Sequence, residues 1–305
     1  MAQENNNQAV RYYSKQLKGL MQAVYQKQAY FREFFGGTLE ALDGVTNNQT
    51  AFSLKTSDIP MVIKTGDLKV APAYSTDKNV AFGTGTGNSN RFGPRTEIIY
   101  EDTDVNYTWG WAFHEGIDQH TVNNNLNQAV ADRLDLQAQA KVQMFDDAGG
   151  LFISKNAGTV ETLADLAADN ITALFNRLAV AYVNMEAVGT KLAWVTPELY
   201  NALVDHPLTT SNKSSAANID TNGLLTFKGF TIRETPDAKF QAGEVAYTSI
   251  AGVGRQFTGI NTARTIPSED FDGQALQGAG KAGEFILPAN KKAVAKVTLG
   301  AAAGE

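Results

Sequence analysis

The sequence predicts an α+β fold, on three observations. An aromatic strand runs directly into one long amphipathic helix between Val105 and Asp147. A glycine-rich polar tip, Gly83 to Asn90, separates two β-like limbs. A block of short strands and helices over residues 158–260 is followed by a return to strand patterning.

In the strand, Val105, Tyr107, Trp109, Trp111 and Phe113 alternate with Asn106, Thr108, Gly110, Ala112 and His114. Period-two alternation rich in aromatics marks a strand with one buried face. The helix is expected over 118–147, with Asp118 or Thr121 as N-cap. Its stripe of Val122, Leu126, Val130, Leu134, Ala138, Val142 and Phe145 holds one face. Gly149-Gly150 reads as the stop, because glycine takes the left-handed conformation of a C-cap. About 30 residues at about 1.5 Å each make a rod of about 45 Å, the backbone of an elongated subunit.

Composition bounds the rest. A chain of 305 residues with 43% hydrophobic and 19% charged residues buries one large core or two smaller ones. Without cysteine, disulfide and thiolate chemistry are excluded. The net charge of −6 argues against gripping nucleic acid over a broad surface, which takes clustered Lys and Arg. Met1 to Gln8 has no signal-peptide pattern and no run reaches transmembrane length, so a cytoplasmic-type soluble product is expected.

Before the strand, Gln8 to Phe35 reads as a helix with Val10, Tyr13, Leu17, Leu20, Val24, Phe31 and Phe34 on one face and Gly36-Gly37 as terminator. Such an aromatic terminal segment either packs on its own domain or lies on a neighbouring subunit. Extended patterns at Met61–Ile63, Leu68–Val70, Val80–Phe82 and Glu97–Tyr100 flank the tip and define a hairpin over 60–94, with limbs reaching at most to 113. Limbs of about 20 residues far exceed a usual strand of about 5 or 6, and an isolated two-stranded ribbon is marginal in water. Another subunit is therefore expected to cover it.

After the long helix, Leu163 to Met185 shows helical packing in two pieces broken near Ala168-Asp169. Lys191–Val195 reads as a strand, and Thr196-Pro197-Glu198 starts a helix over Pro197–Val204. Leu208 to Asn222 is a polar loop. Leu224–Phe227, Phe230–Glu234 and Glu244–Ile250 are strands. The tail adds Thr262–Ile266, then Glu284–Leu287 and Val294–Leu299 around a turn at Pro288-Ala289-Asn290.

Motifs for chemistry are weak. His114-Glu115-Gly116-Ile117-Asp118 begins like a zinc-peptidase helix but places Asp118 where a second His is needed, and His120 points elsewhere on a helix. Gly83, Gly85 and Gly87 lack the Gly-Lys-Ser/Thr and helix N-terminus of a phosphate loop. No Gly-x-Ser-x-Gly elbow is present. No catalytic, metal or cofactor residue is assigned.

Three segments carry a resemblance: Trp109-Gly110-Trp111-Ala112-Phe113-His114-Glu115-Gly116-Ile117-Asp118; Ala193-Trp194-Val195-Thr196-Pro197-Glu198-Leu199-Tyr200; and Phe227-Lys228-Gly229-Phe230-Thr231-Ile232 with Thr235-Pro236-Asp237. In this order of elements the chain resembles a tailed-bacteriophage major capsid protein of the Hong Kong 97-type fold. The resemblance implies an N-terminal arm (1–37), a peripheral domain (38–59 and 95–157) containing the spine helix, an E-loop hairpin (60–94), an axial domain (158–260) and return strands of the peripheral domain (261–305). It implies hexamers and pentamers in an icosahedral head around double-stranded DNA, made in the host cytoplasm, with no membrane and no cofactor. Fewer than ten residues precede the first helix, so a separate scaffolding protein and a portal are the expected partners. Subunit contacts are expected from Phe82, Gly83, Gly85, Gly87, Arg91 and Phe92 of the hairpin tip and from Tyr13, Leu17, Phe31 and Phe34 of the arm. The alternatives are an encapsulin-like compartment shell and a metal-dependent hydrolase using the His114–His120 region.

Overall fold

The computed structural model describes residues 19–42, 49–56, 100–122, 125–210, 217–219 and 225–300. Two compact units divide the chain, one formed by Val45–Asn106 and the other by the remainder. In the first, β2 (Thr50–Thr56) pairs antiparallel with β3 (Glu101–Asn106), from Thr50 opposite Asn106 to Thr56 opposite Glu101. The strand at Thr50 escapes the sequence pattern. The tip residues Phe82, Gly83, Gly85, Gly87, Arg91 and Phe92 lie outside the described residues, as do Tyr13 and Leu17.

The larger unit holds two sheets joined by one helix. Helix α1 occupies residues 19–28 and leads through a turn to β1 (Glu40–Ala41). Strand β4 (Trp109–Asp118) ends in a 3-10 turn, Gln119–Val122, and α2 runs from Leu126 to Asn156. Next come β5 (Thr159–Leu163), α3 (Ala168–Asn184), β6 (Lys191–Val195), α4 (Pro197–Val204) and α5 (Pro207–Thr210). The chain closes with β7 (Ala217–Ile219), β8 (Leu225–Phe227), β9 (Phe230–Glu234), β10 (Glu244–Ile250), β11 (Gly254–Pro267), β12 (Gly273–Ile286) and β13 (Val294–Leu299).

One sheet has the order β1-β11-β12-β4 and the other β5-β13-β10-β6-β9-β8-β7. Helices α3 and α4 bury Ile171, Leu174, Phe175, Leu178 and Leu199 against the seven-stranded sheet. The four-stranded sheet packs on α1 and the middle of α2 through Met21, Tyr25, Trp111, Leu134, Val142 and Phe145. A third cluster, with Phe31, Phe34, Phe35, Ile153, Trp194, Tyr247 and Ile286, fills the junction between the sheets.

Several expectations change. The strand beginning at Val105 is broken at Tyr107-Thr108, where the chain passes from one unit to the other. Asp118 accepts the N–H of His120 at 2.9 Å and so caps the 3-10 turn, which delays α2 to Leu126. The helix then runs through Gly149-Gly150 to Asn156. These glycines are there for close packing: a Cβ on Gly150 would sit 2.2 Å from the carbonyl oxygen of Lys239. The N-terminal helix stops at residue 28, and residues 32–37 form turns closed by Gly36 and Gly37 at φ 81° and 84°. Thr159–Leu163 is a strand that pairs with β13, so the helical packing expected from Leu163 begins only at Ala168.

The tail departs furthest. Glu284 and Val294 belong to different sheets, because the turn at Pro288-Ala289-Asn290 opens a 3-10 crossover, Pro288–Ala293. The true hairpin is β11 with β12, and β13 inserts between β5 and β10. Glycines in β12 disguise it, since glycine is depleted in strands. Here they admit aromatic rings: a Cβ on Gly278 would meet Phe113 at 2.3 Å, and one on Gly280 would meet Trp111 at 2.4 Å.

Candidate assembly surfaces

A polar clamp between the two sheets converges on Tyr30 and its neighbours. Asp146, on the buried face of α2, accepts the backbone N–H of Tyr30 at 3.1 Å and that of Phe31 at 3.4 Å. Trp194 of β6 donates its indole N–H to the Tyr30 carbonyl at 2.9 Å. Arg233 of β9 makes two hydrogen bonds to Glu33, at 2.6 and 3.1 Å. Burial pushes Asp146 up to about 6, while the Tyr30 and Phe31 amides and Lys239 pull the other way. Phe31 and Phe34, expected at a contact with a neighbouring subunit, thus lie in the chain's own core, at 1% and 0% exposure. Burying each is worth about 1.5–3 kcal/mol, which explains why the junction claims them.

A second network links α1, β11 and β12. The Tyr25 hydroxyl donates to Gln256 Oε1 at 2.9 Å, and Gln256 Nε2 donates to the Phe145 carbonyl and to Glu284. Trp109 Nε1 donates to the same Glu284 carboxylate at 3.0 Å. Burial holds the Glu284 carboxyl above its ordinary value against these donors. Between α2 and β10, Glu244 accepts from Ser154, Tyr247 and Lys296. Burial alone would raise it, but those three donors together hold it below the usual value. None of these polar residues carries a local sequence signal; each is recognisable only once the sheets meet.

Lys141 is a buried charge with little to compensate it. Its Nζ lies 4.2 Å from the Trp111 ring centroid and 4.1 Å from that of Phe113, with no hydrogen-bond acceptor among the described residues. Burial lowers it to about 8 from an ordinary 10.5, with Glu115 opposing. The folded state releases this proton first, so the unfolded chain binds more protons between pH 8 and 10.5. The burial penalty is therefore full below pH 8 and fades as pH rises through that window. Cation–π attraction offsets part of it. Lys141→Met is expected to stabilise the fold by about 1–2 kcal/mol at pH 7, and that gain is expected to vanish at alkaline pH. Urea unfolding of both proteins at pH 7 and about pH 10 checks this.

The histidines serve as fold contacts. His114 Nε2 lies 3.0 Å from Gln277 Nε2, and Glu115 is held by Arg133 at 2.6 Å, which keeps its carboxyl below the usual range. The His206 Nδ1 accepts the Leu208 N–H, leaving Nε2 to face the Ala168 carbonyl and Thr172 hydroxyl. Among the described residues, no group of three or more His, Cys, Asp or Glu is placed to hold a metal ion. Likewise, no described helix is long and apolar enough to cross a membrane.

Apolar side chains stand uncovered on the single chain. Leu136, Met144 and Leu151 share the face of α2 opposite its buried stripe, and Val180, Val183 and Val188 follow the outer side and end of α3. Val188 is 93% exposed. Grouped apolar surface of this kind marks contact faces more often than isolated exposed residues do.

The long helix and the two sheets packed along it, with the β2-β3 unit preceding them in the chain, make a fold of the Hong Kong 97-like type, shared with solved phage capsid structures. The solved structures with this fold include the capsid of Cyanophage P-SCSP1u, matched at TM-score 0.61 over 90% of this chain and 88% of that one, with 9% identity. The mature capsid of bacteriophage PhiM1 matches at TM-score 0.61 over 89% and 87%, with 12% identity. A chain of Mycobacterium phage Che8 matches at 0.52 over 81% and 83%, with 14% identity. No protein-family model and no curated protein sequence matches the chain.

Proposed function

We propose that this chain is the major capsid protein of a tailed bacteriophage, a non-enzymatic subunit that assembles into the hexamers and pentamers of an icosahedral head enclosing double-stranded DNA. The observation that carries this reading is a fold likeness to phage capsids spanning about nine-tenths of the chain. The uncovered apolar residues of α2 and α3 accord with it, since closed symmetric assembly covers such faces. The subunit is made in the host cytoplasm, ends in the virion, and works with a separate scaffolding protein and a portal. Tyr13 and Leu17 of the arm, with Phe82, Gly83, Gly85, Gly87, Arg91 and Phe92 of the hairpin, are the proposed contacts to neighbouring copies. Many modest contacts repeated by symmetry give a particle stability that no single one provides.

Negative-stain microscopy of the expressed full chain tests the reading: rings, tubes or closed particles are expected, and a permanently monodisperse single chain would overturn it. Deleting Gly83–Asn90 is expected to leave a folded subunit that forms no closed shells. Intact particles from that deletion, seen by the same microscopy, would remove the hairpin from the mechanism.

A further inference from the structure

At one corner of the larger unit the fold gathers segments that carry three exposed lysines. Two residues beyond the end of α2, the Gly158 N–H donates to the carbonyls of Lys291 at 3.0 Å and Val294 at 2.9 Å. The approach is close enough that a Cβ on Gly158 would lie 2.5 Å from the Lys291 oxygen and 2.9 Å from the Lys292 Cα. This contact sets the end of α2, whose last turn holds Lys155, against the 3-10 crossover that holds Lys291 and Lys292. All three lysines are exposed.

The carboxylates on the adjoining elements are already engaged. Glu161 of β5 pairs with Arg177, Asp147 of α2 with Lys239, and Glu244 of β10 with Lys296. Among the described residues, none of the three exposed lysines shares an ion pair. A helix C-terminus favours one cation in its last turn, which accounts for Lys155. That effect is too local to account for two more on a six-residue 3-10 segment.

We propose that the Lys155–Lys291–Lys292 corner is a contact for the phosphate backbone of double-stranded DNA, which deepens the proposed function and rests on it. Lysine suits the task as a compact point charge that neutralises phosphate without reading sequence. A net charge of −6 opposes DNA binding over a broad surface and favours contact at local cationic spots. Three charges bind weakly alone; repeated across a shell they hold the polymer by multivalency. A competing occupant is the acidic strand β3 of another copy, with Glu101, Asp102 and Asp104. There, however, Asp102 already faces Lys55 at 3.9 Å and Ser53 donates to Asp104.

The experiment titrates the full chain with duplex DNA by fluorescence anisotropy over a salt series. It compares the unaltered protein with the triple Lys155→Gln, Lys291→Gln, Lys292→Gln variant and with the triple arginine variant. Microscopy of the particles formed by each runs in parallel. The glutamine variant is expected to form normal particles while the slope of log affinity against log salt becomes shallower by about 3, at about 0.9 for each phosphate no longer neutralised. The arginine variant is expected to retain the unaltered slope. An unchanged slope in the glutamine variant overturns the proposal. So does a glutamine variant that folds with an unaltered melting temperature yet forms no particles, which assigns the corner to contact between copies. Failure of the unaltered chain to form particles would instead sink the capsid reading, because the salt slope is read from the chain in any state of assembly.

Discussion

Replacing Gly150 with alanine is expected to destabilise the subunit by about 2–3 kcal/mol, near the upper end for overpacking. The same change one residue earlier should be close to neutral. In an ordinary helix interior both substitutions would gain about 1 kcal/mol, because glycine is the poorer helix former. At Gly150 the new methyl would meet the Lys239 carbonyl oxygen at 2.2 Å and the Phe31 ring at 3.3 Å. That carbonyl is backbone of the 3-10 turn Asp237–Lys239, and the Lys239 side chain is itself tied to Asp147 at 2.6 Å and to the Gln143 carbonyl at 3.2 Å. Relief therefore means pulling the turn off α2. At Gly149 the obstacle is the edge of the Phe35 ring at 3.0 Å, which yields by a small rotation. Urea unfolding midpoints of the two variants decide the matter. Equal midpoints would mean that no close approach exists at Gly150.

The glycine pair shows how far sequence carries and where it stops. Two adjacent glycines after a periodic stripe signal a helix end, and only the neighbouring turn makes them a packing device. Local signals translate directly into structure. Thr196-Pro197-Glu198 opens a helix over Pro197–Val204, although the Thr196 side chain makes no capping bond. Lys228-Gly229, at φ 49° and 83°, makes the tight turn that sets β8 against β9. Where the partner is distant in sequence, the pattern carries no warning: Val294–Leu299 reads as a strand, but nothing in it says that it lies between β5 and β10. The aromatic run of the N-terminal segment fits a core or a contact with another copy equally well. Packing resolves it for Phe31 and Phe34, whose rings lie against Trp194 at 5.8 and 6.2 Å. The polar clamp at Tyr30 joins residues 116 and 164 positions apart, beyond the reach of any local motif.

Trp194 is the place where that clamp is most vulnerable. Its side chain is fully buried, and Trp194→Ala is expected to cost about 3–5 kcal/mol through the missing ring and the cavity left behind. Set against a total of about 5–15 kcal/mol for a folded domain, that loss brings the subunit near unfolding. Trp194→Phe separates the two roles of the residue. It keeps most of the apolar packing with Phe31 and Phe34 but removes the donor to the Tyr30 carbonyl, at a cost of about 1–2 kcal/mol. The Tyr30 N–H is still held by Asp146 of α2, so the segment after α1 stays on the helix while it loosens from β6. Hydrogen exchange should then accelerate at the Phe34 and Gly37 amides, whose turn bonds close on Phe31 and Arg32, ahead of any change within α2. If Trp194→Phe leaves both the melting temperature and those exchange rates unaltered, the indole hydrogen bond is not what binds the N-terminal segment to the seven-stranded sheet, and the junction is held by apolar packing alone.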